Sequence, residues 1–140
     1  MDDRVRPEQF LFDEETSEEE CILQSLKWLK SHQIEPEDVV FLSFRRDSFA
    51  SKVGKLNGYK FVPYEVGSRV QPGEIQYSTV HAFKGLEAPA VVLTDLSTQV
   101  SGFMDLLYVG MTRPTDRLAI CTGRAAIADV VKMGLEYRNV

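Results

Sequence analysis

The chain has 140 residues, 44% of them hydrophobic and 26% charged, with a formal net charge of −5 at pH 7. That length supplies one core and fits one domain, while the acidic balance excludes a module with a broad basic face, though not one that grips a few phosphates along an edge. Two cysteines, Cys21 and Cys121, and two histidines, His32 and His81, provide neither a disulfide framework nor zinc-ligand spacing.

The opening residues carry no signal-peptide pattern, and no stretch is apolar for long enough to span a bilayer. A cytoplasmic chain without a membrane partner is the expectation. Residues 1–15 read as a loosely ordered segment and 16–140 as the domain. Thr16 and Ser17 each precede a glutamate by three residues, the capping-box pattern, and Ile22, Leu26 and Leu29 repeat at helical spacing. This predicts a helix over 17–32, ended by Glu35-Pro36-Glu37. The apolar run from Val39 to Phe44 predicts a strand covered on both faces, with Arg45 and Arg46 at its exit. A short helix over 47–56, a turn at Asn57-Gly58 and a strand over 59–64 follow.

Strands are predicted over 75–80 and 90–94, a helix over 102–112 with Phe103, Leu106, Leu107 and Met111 on one stripe, a strand over 118–122 and a last helix over 124–134. Pro114 disfavours helical geometry at Arg113 and stops the helix there. Alternating strands and helices imply an α/β domain with a mostly parallel sheet of about five strands. Ligands of such sheets gather at the carboxyl ends of the strands, where the residues after Val80 and the arginine pair after Phe44 are expected.

Two runs carry chemistry. Thr79-Val80-His81-Ala82-Phe83-Lys84-Gly85-Leu86-Glu87 joins two phosphate donors, an ammonium, a glycine able to take positive φ and a carboxylate able to accept from a ribose hydroxyl. Leu107-Tyr108-Val109-Gly110-Met111-Thr112-Arg113 ends a helix on an arginine. Any one of these residues is more often an ordinary loop or helix residue. The two strings in this order resemble the last two signature motifs of UvrD/Rep-like superfamily 1 helicases, and Phe41-Leu42-Ser43-Phe44-Arg45 resembles a further element of that family.

The resemblance implies a RecA-like (P-loop NTPase-like) three-layer domain, the carboxyl-terminal motor domain of such a helicase. It implies that Arg113 is an arginine finger for ATP, that Glu87 and Gly85 shape the nucleotide site, and that Thr79 and His81 touch the single-strand backbone. Lys84 is placed to support either site, and Arg45 to couple them. The family usually has alanine and then a basic residue after its Thr-Arg pair, whereas Pro114 and Thr115 stand here. The phosphate loop and the acidic strand-end pair that would hold ATP with Mg²⁺ are not in the sequence. By the resemblance they belong to an amino-terminal motor domain of a longer chain, so the 140 residues alone are expected to be inactive. Single-stranded DNA is the expected partner.

Two rivals remain open at this point. One is a degenerate helicase-like domain that binds nucleic acid or a protein without ATP turnover. The other is a flavodoxin-like or receiver-like fold, which would need an acidic pocket at the strand ends, where Asp95 stands alone. Trp28, Tyr108 and Cys121 read as packing residues, Tyr108 against the sheet. Phe83 reads equally as core or as a base-facing aromatic.

Overall fold

The computed structural model describes residues 5–138. Its centre is a seven-stranded sheet in the order β1-β7-β6-β2-β5-β4-β3. The strands are β1 (Pro7–Phe12), β2 (Val39–Ser43), β3 (Lys55–Leu56), β4 (Tyr59–Pro63), β5 (Glu74–Thr79), β6 (Ala88–Thr94) and β7 (Pro114–Gly123). Every pairing is parallel except β3 with β4. That hairpin turns on Asn57 and Gly58, both at positive φ (52° and 88°), the geometry that suits a tight two-residue connection.

The helices are α1 (Glu18–Ser31), α2 (Phe49–Val53), α3 (Phe103–Met111) and α4 (Ile127–Arg138). The pleat sends alternate side chains to opposite faces, so each inner strand feeds two cores. Val40 and Leu42 of β2 join Leu107 and Met111 of α3 and Val130 of α4, whereas Val39 and Phe41 join Ile22, Leu26 and Leu29 of α1. Helices on both faces of a mostly parallel sheet give the three-layer α/β architecture. The near-continuous apolar composition of β2, all five residues buried, follows from that double cover.

Three expectations need correction. The sheet has seven strands rather than about five, because β1 and the two-residue β3 extend its edges. Residues 7–12 are not loose: β1 pairs in register with β7 from Pro7↔Leu118 to Phe12↔Gly123. Residues 1–4 of that segment, and 139–140 at the other end, lie outside the described residues. The short helix spans only Phe49–Val53, because Gly54 ends it at φ 69° and Lys55 already pairs with Lys60.

The start of α1 shows the local logic. Ser17, not Thr16, is its cap, accepting from the Glu20 amide at 3.1 Å. Thr16 instead donates its amide to the Asp13 carboxylate at 2.9 Å, as does Glu15 at 2.8 Å. These two backbone donors hold the Asp13 carboxyl below its ordinary range. Trp28 packs edge-on to Phe10 at 5.8 Å, so it ties α1 to β1. Among the described residues no helix is long and apolar enough to cross a membrane.

Candidate functional site

The sheet register sorts the candidate residues onto two ends. Ser43 of β2 stands level with Thr79 of β5 and Thr94 of β6, which defines the carboxyl end. Ala88 of β6 stands level with Pro114 of β7, which defines the amino end. Thr79, His81, Arg45 and Arg46 belong to the first end, and Glu87 and Arg113 immediately precede the strands at the second. The seven residues of β6 separate the ends by about 20 Å at 3.3 Å per residue. The connection over residues 80–87 leaves β5, passes β2 and enters β6 from below. The expectation that the whole motif gathers at the carboxyl end is therefore corrected: its first half is there and its second half is at the opposite edge.

At the amino end, Arg113 fastens the two sequence motifs together. Its Nη1 donates to the Leu86 carbonyl at 3.2 Å, its Nε to the Val109 carbonyl at 3.1 Å and its Nη2 to Thr112 Oγ1 at 3.1 Å. Its own carbonyl accepts from the Ala88 amide at 3.1 Å. A guanidinium carries five N–H donors, so two remain for another acceptor while these bonds stand. Gly85 sits at φ 86° with open space around its missing Cβ, which is the conformation an L side chain resists. Lys84 and Glu87 are exposed beside it. No ion pair joins them among the described residues. Pro114 is buried as the first residue of β7. Its missing amide costs nothing there, because the adjoining ladder bond uses the Arg113 carbonyl and the Ala88 amide.

Packing explains the spacing of both strings. Phe83 is 1% exposed and meets Tyr64 edge-on at 5.1 Å, so the open question over it resolves in favour of the core. Phe83 and Val80 anchor the crossing connection against Leu107 and Met111 of α3. Tyr108 is 38% exposed, which corrects its assignment to the helix–sheet interface; Leu107, Gly110 and Met111 fill that interface instead. A Cβ on Gly110 would lie 2.9 Å from Leu93 Cδ2 and 3.4 Å from Val80 Cγ2. Leu93 is itself fully buried and has little room to yield. Gly110→Ala is therefore expected to lower stability by about 1–3 kcal/mol through overpacking, measured as an earlier midpoint in urea unfolding with unchanged slope.

At the carboxyl end, Thr79 Oγ1 accepts from the Ala82 amide at 3.0 Å, which leaves its O–H free to donate. His81 is exposed on the same turn. Two strands over, at the end of β6, Asp95 organises the exit of β2, a role that the sequence did not signal. It holds φ 55°, accepts from Thr94 Oγ1 at 2.7 Å and from the Phe49 amide at 3.1 Å, and meets Arg45 Nη2 at 3.7 Å. A buried carboxylate so occupied is no open acidic pocket, and the receiver-like rival loses its only support. Arg45 stands with Thr79 and His81, a sheet length from Glu87 and Arg113. Burial and then the nearby Asp95 charge push the Glu18 carboxyl above its ordinary range. Among the described residues no cluster of His, Cys, Asp or Glu could hold a metal ion.

Residues 75–121 match the family model for the UvrD-like helicase C-terminal domain. Over 53 residues the chain is 49% identical to the mitochondrial ATP-dependent DNA helicase HMI1 of Saccharomyces cerevisiae, a stretch that is 36% of this chain and 7% of that protein. The match thus spans a small part of the relative's length. The fold is similar to the solved C-terminal domain of a possible DNA helicase from Lactobacillus plantarum WCFS1, with a TM-score of 0.63 and 19% identity, covering 86% of this chain and 75% of that one. At that identity the likeness is one of fold.

Proposed function

We propose that this chain, a UvrD-like helicase C-terminal domain by sequence and fold, is the second motor domain of an ATP-dependent superfamily 1 DNA helicase or translocase. The observation that carries the reading is the bond from the Arg113 guanidinium to the Leu86 carbonyl. It makes the end of α3 and the 84–87 turn one unit at the amino edge of the sheet, with Thr79 and His81 at the other edge of the same connection.

The donor set at the amino edge fits part of a nucleotide. Arg113 keeps two N–H groups for phosphate oxygens, Lys84 adds an ammonium, and the Glu87 carboxylate suits a ribose hydroxyl. Bound ATP supplies the free energy of phosphoryl transfer to water. The residues of this lobe orient and neutralise charge across the interdomain cleft. When the cleft closes, Arg113 and Glu87 engage. When it opens, the 80–87 connection, anchored by the buried Val80 and Phe83, carries the change to Thr79 and His81, which grip single-stranded DNA by its backbone and so with little base preference.

The test is a double dissociation in a polypeptide that joins this chain to a motor domain bearing the phosphate loop. Glu87→Ala is expected to weaken nucleotide affinity by two- to tenfold and to leave strand affinity unchanged without nucleotide. His81→Ala is expected to do the reverse. Each change removes roughly one hydrogen bond of about 0.5–1.5 kcal/mol. Equal effects of both variants on both ligands would refute the two-ended reading.

A further inference from the structure

The last turn of α3 builds a seat for the Arg113 side chain, and half of that seat is a hydroxyl. Thr112 is the C-cap of the helix, half-buried, at φ −95° and ψ 0°. Its Oγ1 donates to the Val109 carbonyl at 2.8 Å and accepts from Arg113 Nη2 at 3.1 Å. The same Val109 carbonyl accepts from Arg113 Nε at 3.1 Å. Two oxygens joined by their own hydrogen bond thus receive two nitrogens of one planar group, much as the paired oxygens of a carboxylate do.

The helix end dictates how the hydroxyl serves. The Arg113 amide, four residues on from Val109, bonds the Gly110 carbonyl at 3.3 Å, so the Val109 carbonyl takes the Thr112 amide and two side-chain donors in its place. A hydroxyl has one proton and two lone pairs. With the proton given to Val109, only lone pairs are left to face Nη2. The seat also differs from a carboxylate in charge. Both of its oxygens are neutral, and no carboxylate pairs with Arg113 among the described residues. The guanidinium is therefore held in place with its charge available to an anion, whereas an acidic partner would fix and neutralise it together.

We infer that Thr112 is a positioning residue for Arg113, its hydroxyl setting the plane of the guanidinium while leaving the charge for the nucleotide. The inference rests on the function proposed above. It gives Thr112 no contact with ATP, and its effect passes through Arg113 alone.

The experiment compares Thr112→Val, which keeps the shape and removes the oxygen, with Thr112→Ser, which keeps the oxygen. In this chain alone, hydrogen exchange of the Arg113 Nε–H group, followed by NMR, is expected to quicken about two- to tenfold in Thr112→Val, the loss of roughly one hydrogen bond. Thr112→Ser is expected to exchange as the parent does. In the polypeptide that joins this chain to the phosphate-loop domain, Thr112→Val is expected to lower strand-stimulated kcat by about ten- to a hundredfold, with KM for ATP unchanged, and Thr112→Ser to retain the parent rate. In an Arg113→Lys background, Thr112→Val is expected to have no further effect, because the two residues act as one unit. Where Arg113→Ala is slow but Thr112→Val turns over as the parent does, or slows the enzyme equally with and without Arg113, this inference falls and the proposed function stands. Loss of rate in both Thr112 variants overturns it as well, because it would point to packing rather than to the oxygen. If Arg113→Ala turns over as the parent does, the proposed function falls and the inference with it.

Discussion

Arg113→Ala is expected to lower strand-stimulated ATP turnover by about 10³–10⁵-fold in a polypeptide that joins this chain to the domain bearing the phosphate loop. The expectation follows from two properties of one side chain. Its planar fork holds Leu86, Val109 and Thr112 at once, so its position is set before any ligand arrives. On the proposed function its two remaining N–H groups would meet a phosphate without further ordering of the side chain, which is the condition under which a fixed charge helps a transition state most. Arg113→Lys should not restore the rate, because an ammonium cannot keep these bonds and still offer a paired fork. Nucleotide affinity separates this role from a structural one. If Arg113→Ala melts and binds nucleotide as the parent does but turns over slowly, the catalytic role stands. If turnover is retained within tenfold, it fails.

Phe83→Ala is expected to be the most destabilising single change in either signature string, at about 3–5 kcal/mol. Phe83 is among the largest fully buried side chains. It fills the space between Tyr64 and the α3 face. Its removal should also loosen the only covalent link between the Thr79–His81 turn and the Gly85–Glu87 turn. Urea unfolding would show the stability loss. Hydrogen exchange would show whether the amides of Val80 and Leu86 lose protection first. A loss below about 1 kcal/mol would mean that the aromatic ring is not structural, and would reopen the base-facing assignment. Phe83→Leu, which refills most of the volume, is expected to recover most of the stability.

The site residues differed in how far sequence could locate them. Glu87, Gly85 and Arg113 stand together as the strings implied, and the physical reason is visible: the turn and the helix end are joined through Ala88 and Pro114 at the mouth of two neighbouring strands. Arg45 stands at the carboxyl edge, where the exit of an apolar strand in a parallel sheet implied it, and therefore a sheet length from these three residues. Asp95 went unnoticed as a positioning residue because its partners, Arg45 and Phe49, are far from it in sequence.

What the sequence determined by itself is whatever depends on near neighbours along the chain. Apolar runs made β2 and β6, and helical spacing made α1 and α3. A serine ahead of acidic residues capped α1, and Asn57-Gly58 turned the hairpin. Only the tertiary structure decided that Pro7–Phe12 is an edge strand, because its partner β7 lies at the far end of the chain and its own alternation of polar and apolar residues is weak. Only the tertiary structure likewise divided one motif between two edges of the sheet. The reason is geometric: a strand's direction is fixed by its pairing partners, so which end of the sheet a loop reaches is a property of the whole ladder and not of the loop's residues.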